Sequence, residues 1–233
     1  MLFFEQKQYK VCAIIAAGGT SSRMGFDKLM ADLVGEKVIV RSIEAFERCD
    51  IIDEIVIVTR KELLEELKTV LLSKKINKLK SVVAGGDSRQ RSVYNGVSAC
   101  SDDIDIVCIH DGARPLVTDD VIINSLEAAA KFGAATAAVK VKDTIKRGES
   151  GLITETLDRE YLYQIQTPQT FLKQLYLRAY DAANVQYTDD CQLIEAIGVK
   201  VALSQGSYSN IKLTTEEDFA VAKALLKRRE EEK

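Results

Sequence analysis

The chain has 233 residues, with 32 basic against 35 acidic side chains dispersed along it and a formal net charge of −3. Such a length is ample for one large domain with a sizeable core, and the mixing of charge leaves no broad basic face for a nucleic-acid duplex, so small ligands are favoured over polymers. Only three apolar residues follow Met1 before the first charge, and no window approaches the roughly 18 apolar residues of a membrane span, so the sequence predicts no signal peptide, no membrane partner and a cytoplasmic location.

Apolar, strand-like runs alternate with helical patterns, which predicts a doubly wound, Rossmann-like α/β fold with a mainly parallel sheet. The first run, VCAIIAA at 11–17, carries no charge and reads as a central parallel strand. It enters a small-residue turn, Gly18, Gly19, Thr20, Ser21 and Ser22, followed by Arg23 and Lys28. Small residues let backbone N–H groups converge on an anion, and the two cations suit a phosphate chain. The Gly-Lys-Ser/Thr end of a Walker loop is missing, and the glycine spacing does not fit G-x-G-x-x-G. The alternative is an ordinary strand-to-loop turn with solvent-facing charges.

Helical patterns at 38–46, 62–72, 88–99 and 121–132 separate further strands expected at 54–59, 79–84, 105–110, 134–140 and 200–203. In such sheets the ligand sits outside the carboxyl ends of the strands, so the turns after 17, 84 and 110 should face one crevice. The second turn, AGGDSRQRS at 84–92, offers close backbone approach at Gly85 and Gly86, with Asp87 and Ser92 suited to a base edge or ribose. Ser88 reads equally as a helix cap. The third, HDGARP at 110–115, places an acid that suits a ribose hydroxyl or a hydrated Mg²⁺ beside Arg114, a bidentate phosphate clamp; a structural Asp–Arg pair is the alternative.

Residues 141–166 break the rhythm. A turn at 147–151 between β-capable runs predicts a projecting hairpin, whose Ile153, Leu157, Tyr161 and Leu162 need a covering surface that a twofold dimer supplies; a hairpin folded back on its own domain is the alternative. A Thr144 and an Arg159 on its flanks suit a second phosphate, and Pro168 in TPQ at 167–169 turns the chain back into the domain. Near the end, Thr214 or Thr215 caps a last helix patterned over 219–226, Lys212 precedes it, and the charge run 227–233 reads as a solvated, fraying end. Five cysteines without C-x-x-C spacing and a single histidine argue against a zinc site; Cys12 and Cys108, inside apolar runs, read as buried thiols. His110, at a strand end beside Asp111, suits a structural or ligand-orienting role.

Taken in order, AAG…SRMG…DK at 16–28, GGD at 85–87, HDGARP at 110–115, VKDTIK at 141–146, DR at 158–159, TPQTF at 167–171, TDD at 188–190 and NIKLTTEED at 210–218 make the chain resemble the 2-C-methyl-D-erythritol 4-phosphate cytidylyltransferases. Its glycine turn is one residue longer than the usual family spacing before the arginine. The resemblance implies one domain over 1–233 with a dimerisation arm at 141–166, a homodimer with arm exchange, and transfer from CTP to an alditol phosphate with Mg²⁺ or another divalent cation. It implies Arg23, Lys28 and Lys212 as catalytic cations, and Ala16, Ala17, Gly18, Gly19, Gly85, Asp87, Ser92, Asp111 and Gly112 around CTP. Asp111, Arg114, Thr144, Arg159, Thr167, Thr188 and Lys212 would hold the alditol phosphate, and Asp111 would touch the metal that the CTP phosphates mainly bind. A ribitol-5-phosphate cytidylyltransferase or a non-catalytic nucleotide-binding module are the alternatives.

Overall fold

The computed structural model describes residues 9–19 and 27–231. In chain order the elements are β1 (Val11–Ala17), α1 (Val38–Arg48), β2 (Glu54–Thr59), α2 (Leu64–Leu72), β3 (Leu79–Ala84), α3 (Arg89–Ser98), β4 (Ile106–Asp111), α4 (Asp119–Phe132), β5 (Ala134–Lys140), β6 (Lys146–Glu149), β7 (Leu152–Thr156), β8 (Tyr163–Leu172), α5 (Lys173–Ala182), α6 (Asp190–Glu195), β9 (Ala202–Gln205) and α7 (Glu216–Glu231). Seven strands share one sheet in the order β3-β2-β1-β4-β8-β5-β9, while β6 and β7 pair separately. All neighbours in the large sheet run parallel except β8, which is antiparallel to both β4 and β5.

The period of two along each central strand splits the core. Ala13, Ile15 and Ala17 of β1 face the layer containing Ile39, Ile43 and Phe46 of α1, Leu67 of α2 and Leu126 of α4. Cys12 and Ile14 face the other layer, with Val93 and Val97 of α3, Tyr176 of α5 and Ile194 of α6. Covered on both sides, β1 needs apolar residues at every position, which is why it carries no alternation. The last helix packs apart from both, with Ala222 buried among Leu33, Val38, Leu116 and Leu213. All five cysteines are free and buried.

Strands β1, β2, β3 and β5 lie where the sequence places them; β4 is displaced by one residue and β9 by two. Strand β8 and helices α5 and α6 correct the sequence reading, which assigned them no element. Pro168, expected to mark a turn, sits inside β8; it has no N–H, and the pairing with β5 is irregular between Thr136 and Ala138, opposite this stretch. Residues 163–165, read as part of the second flank of the arm, already pair with β5. The charge run continues α7 as far as Glu231.

The projecting hairpin is present. Ser150 and Gly151 both have positive φ, 51° and 81°, the conformation a two-residue turn needs to match the strand twist. Every residue of β6 and β7 is exposed, including Leu152 and Ile153 at 73% and 69%.

Candidate active site

The carboxyl ends of β1 and β4 and the turn after β3 open onto one crevice of about 440 Å³. Ala16, Gly18, Gly19 and Lys28 line it from the first turn, Gly86, Asp87, Ser88, Arg89 and Ser92 from the second, Asp111 and Ala113 from the third, and Lys212 and Thr214 from the segment before α7. The sequence placed these three turns on one crevice from strand direction alone; the segment before α7, which only the resemblance brought in through Lys212, opens onto the same crevice.

The second turn is held rigidly. Ser88 is the N-cap of α3, its Oγ accepting the Arg91 N–H at 3.0 Å. Ser92 Oγ donates to the Ser88 carbonyl at 2.7 Å and accepts the Gly86 N–H at 3.0 Å, so the hydroxyl shapes the loop while facing the crevice. A Cβ on Gly85 would lie 2.7 Å from that Oγ, and the Gly85 N–H is bound to the Thr59 carbonyl at 2.7 Å. Gly85 therefore permits the approach of α3 to the sheet rather than lining the crevice.

Asp111 is the electrostatic centre. Its carboxylate lies 2.7 Å from Lys212 Nζ, 3.8 Å from an Arg89 Nη and 3.9 Å from Arg114 Nε. Burial pushes the carboxyl up, but Lys212, Arg89 and Arg114 together outweigh burial and hold it down at about 2. It is an anion at any working pH. Behind it stands fully buried His110, whose Nε2 lies 3.1 Å from the Arg114 carbonyl and whose Nδ1 lies 3.0 Å from Thr167 Oγ1. The carbonyl only accepts, so Nε2 carries the proton, Thr167 donates to Nδ1, and Thr167 Oγ1 in turn accepts the Asp111 N–H at 3.1 Å.

Burial holds the His110 imidazole down at about 4, so it stays neutral and fixes loop geometry rather than shuttling protons. The ordinary value is about 6.5, so below that the unfolded chain binds a proton the folded chain refuses, and roughly 3 kcal/mol of stability is lost as pH falls through the window to about 4. As His110 is the single histidine, its ring-proton resonance in the folded protein is expected not to titrate between pH 7 and about 5. A midpoint near the ordinary value would contradict the buried, neutral imidazole.

Arg89 is the crevice cation that sequence reasoning missed. One Nη pairs with Asp190 at 2.6 Å and another faces Asp111, so a single guanidinium joins the second and third turns to the start of α6. Asp190 is buried, approached by the Tyr176 hydroxyl at 3.4 Å, and its N–H donates to Gln169 Oε1 at 3.0 Å. Burial disfavours the Arg89 cation, but attraction to Asp190 and Asp111 outweighs it and raises its pKa. No local pattern marks this residue: Asp190 lies 101 positions away.

Lys212 is set by the start of α7. Asp218 accepts the Thr214 hydroxyl at 2.7 Å and the Thr215 N–H at 2.8 Å, and the Thr215 hydroxyl accepts the Asp218 N–H at 3.4 Å, a reciprocal cap shared by both threonines. The same segment is laced to the third turn by Leu213 N–H to the Ala113 carbonyl and Arg114 Nη1 to the Asn210 carbonyl, both at 2.8 Å.

Several expected contacts lie elsewhere. The Ala17 side chain is in the core; Gly112 is buried, where a Cβ would meet Ile39 Cδ1 at 2.6 Å; and the Thr167 hydroxyl is committed to His110 and Asp111. These residues build the wall rather than line it. Arg114 stands beside Asp111 with its pKa lowered by burial, which Asp111 only partly offsets. Thr144 and Arg159 are exposed on the arm, outside this chain's crevice, Arg159 donating to the Lys142 carbonyl at 2.8 Å. Thr188 is exposed near α6, bonded to Gln192 Oε1 at 3.1 Å. Arg23 lies outside the described residues.

Among the described residues no group of three or more His, Cys, Asp or Glu side chains stands ready to hold a metal ion. The crevice does carry the ionised Asp111, with one carboxylate oxygen no nearer than 3.8 Å to the Arg89 guanidinium. That fits a divalent cation held mainly by phosphate oxygens, with a single carboxylate from the protein.

A mainly parallel sheet with a glycine turn and several cations gathered over its carboxyl edge defines a nucleotidyltransferase-like α/β protein. The family model for 2-C-methyl-D-erythritol 4-phosphate cytidylyltransferase matches residues 11–228, and the chain belongs to that family. A relative of that name from Caldanaerobacter subterraneus subsp. tengcongensis is 44% identical over 225 residues, covering 94% of this chain and 99% of its own. One from Clostridium tetani is 41% identical over 229 residues, covering 95% and 92%. Among solved structures, the 4-diphosphocytidyl-2C-methyl-D-erythritol synthase of Anaerococcus prevotii superposes with a TM-score of 0.85 at 33% identity, covering 95% of this chain and 100% of its own.

Proposed function

We propose that the protein transfers the cytidylyl group of CTP to 2-C-methyl-D-erythritol 4-phosphate, releasing pyrophosphate. The observation that carries this reading is the convergence of Lys28, Arg89 and Lys212 with the glycine turn on one crevice, around a carboxylate held ionised. A phosphate monoester is already anionic near neutral pH, so its attack on the α-phosphorus needs no strong base, and positioning with charge neutralisation is the whole task. The neutral His110 behind the wall accords with a reaction that asks for no histidine base.

Gly18, Gly19, Lys28 and, by family resemblance, Arg23 would hold the triphosphate, with Lys28 and Arg23 stabilising charge that develops on the α-phosphate and the leaving pyrophosphate. Ala16, the turn at Gly86 and Asp87, and Ser92 would select cytosine and ribose, with Gly85 letting α3 approach the sheet behind them. Lys212, Asp111 and Arg114 would hold the alditol phosphate, with Thr188 at its rim and Thr167 fixing Asp111 from behind. A divalent cation such as Mg²⁺ supplies charge neutralisation on the triphosphate oxygens, and Asp111 is the residue that would touch it. The cytoplasm is the compartment this reading expects; no helix among the described residues is long and apolar enough to cross a membrane. Family membership supports methylerythritol phosphate over ribitol 5-phosphate as acceptor, and three crevice cations exceed what a silent binding module needs.

The test is pyrophosphate release with each acceptor. Release is expected with CTP, a divalent cation and methylerythritol phosphate together. Preference for ribitol 5-phosphate would move the substrate assignment, and tight CTP binding without turnover on any acceptor would favour the silent module.

The arm extends the proposal to a homodimer. Leu152, Ile153 and Tyr161 are 73%, 69% and 77% exposed, an apolar strip that a second copy would cover. Thr144 and Arg159 would then complete the neighbouring chain's alditol-phosphate site. Mixing an Arg159→Ala chain with a Lys28→Ala chain gives heterodimers with one intact site, so activity is expected to recover in proportion to heterodimer content. Verified heterodimers that stay inactive would mean that each chain completes its own site.

A further inference from the structure

We infer that Arg60, which no sequence pattern marks and which does not itself line the crevice, is a positioning residue that sets Lys28 against the glycine turn. The inference rests on the role of Lys28 given above. Arg60 follows β2 directly, beside the carboxyl end of β1. Its guanidinium is split between two targets: one Nη donates to the Gly19 carbonyl at 3.2 Å, and the other forms an ion pair with Asp27. The two paired side chains are only 26% and 19% exposed, so the contact is screened less than a surface pair.

Asp27 passes this constraint to Lys28. Its Oδ1 accepts the Leu29 N–H at 3.0 Å and its carbonyl accepts the Met30 N–H at 3.2 Å, closing a turn in which Lys28 is the second residue. On the far side Leu29 is buried in the core, and its carbonyl accepts the Ile39 N–H at 3.0 Å. The backbone of Lys28 is thus held between Asp27 and Leu29. A lysine stem has several soft torsions, so the backbone origin and first torsion are what the protein can fix, and a misplacement of an ångström there is enough to lower a rate. The same guanidinium holds the Gly19 carbonyl, so one side chain ties Asp27, the residue before Lys28, to the glycine turn. A lysine at this position has one ammonium and no fork with which to reach both targets.

The test is a kinetic cycle. Arg60→Ala is expected to lower kcat between about tenfold and a hundredfold with the KM for CTP changed by less than about threefold, the split for a residue acting through another. Arg60→Lys should recover little of the loss, and Asp27→Asn, nearly isosteric, should reproduce part of it. In a Lys28→Ala background, Arg60→Ala should have almost no further effect, because its target is gone. Additive losses in that background, a raised KM with unchanged kcat, or a lowered melting temperature with normal kcat would each overturn the positioning role. Wild-type turnover is the control: its absence would defeat the proposed reaction itself, whereas normal wild-type turnover with additive variants would defeat the role of Arg60 alone.

Discussion

Replacing Lys28 by alanine is expected to slow pyrophosphate release at saturating substrates by about 10²-fold or more, the scale for losing one charge partner of a transition state. Lys28 lines the crevice within a turn that Asp27 and Leu29 hold independently of the lysine head, so the fold should survive. The loss should fall on kcat more than on the KM for CTP, because charge on the α-phosphate and leaving group builds as the bond breaks. Steady-state kinetics with a melting curve as control makes the check. Normal turnover at saturating CTP in a folded variant would remove Lys28 from the chemistry.

Asp111→Asn is expected to have an effect of the same order, about 10²-fold on kcat, for the opposite electrostatic reason. A carboxylate amid cations in a site for two anions weakens anion binding, so its removal taken alone should tighten CTP. Its more important function is to hold Lys212 at 2.7 Å and to face Arg89 and Arg114 at 3.8 and 3.9 Å, three cations that would otherwise repel one another. Asparagine keeps the shape and removes the charge, so Lys212 and Arg89 should lose their fixed positions; on the KM for CTP, less repulsion of the triphosphate and a weaker hold on its divalent cation oppose each other, so the loss is read on kcat. The carboxyl is held at about 2, so this loss should be independent of pH from 6 to 9, flanking values at which Asp111 is ionised throughout. A folded variant that turns over within about threefold of wild type would show that Lys212 and Arg114 place themselves.

Much of this molecule was legible in the chain because the physics is local. The strand of β1, buried on both faces, declares itself by unbroken apolar sequence; Ser88 and the Thr214–Thr215 pair declare helix starts; and the turn residues at 147–151 between β-capable runs declare the hairpin. What stayed hidden is non-local. Strand β8 has a proline and several polar residues because it sits at the one antiparallel insertion in the sheet, where Thr167, Gln169 and Thr170 serve the buried wall instead of an apolar core. Arg89 and Arg60 find their partners 101 and 33 positions away, so neither spacing nor composition announces them. Thr167 and Gly112, singled out as ligand contacts, are better understood as the parts that keep Asp111 and the third turn in place.

The most direct test follows the atoms. Methylerythritol phosphate carrying heavy oxygen in its phosphate group is incubated with unlabelled CTP, a divalent cation and the protein, and the products are weighed by mass spectrometry. Attack by the acceptor's phosphate oxygen on the α-phosphorus keeps all of the label in a cytidine diphosphate-linked alditol and leaves the pyrophosphate unlabelled. Label in the released pyrophosphate or in free phosphate, or cytidine monophosphate with no linked product, would contradict the account.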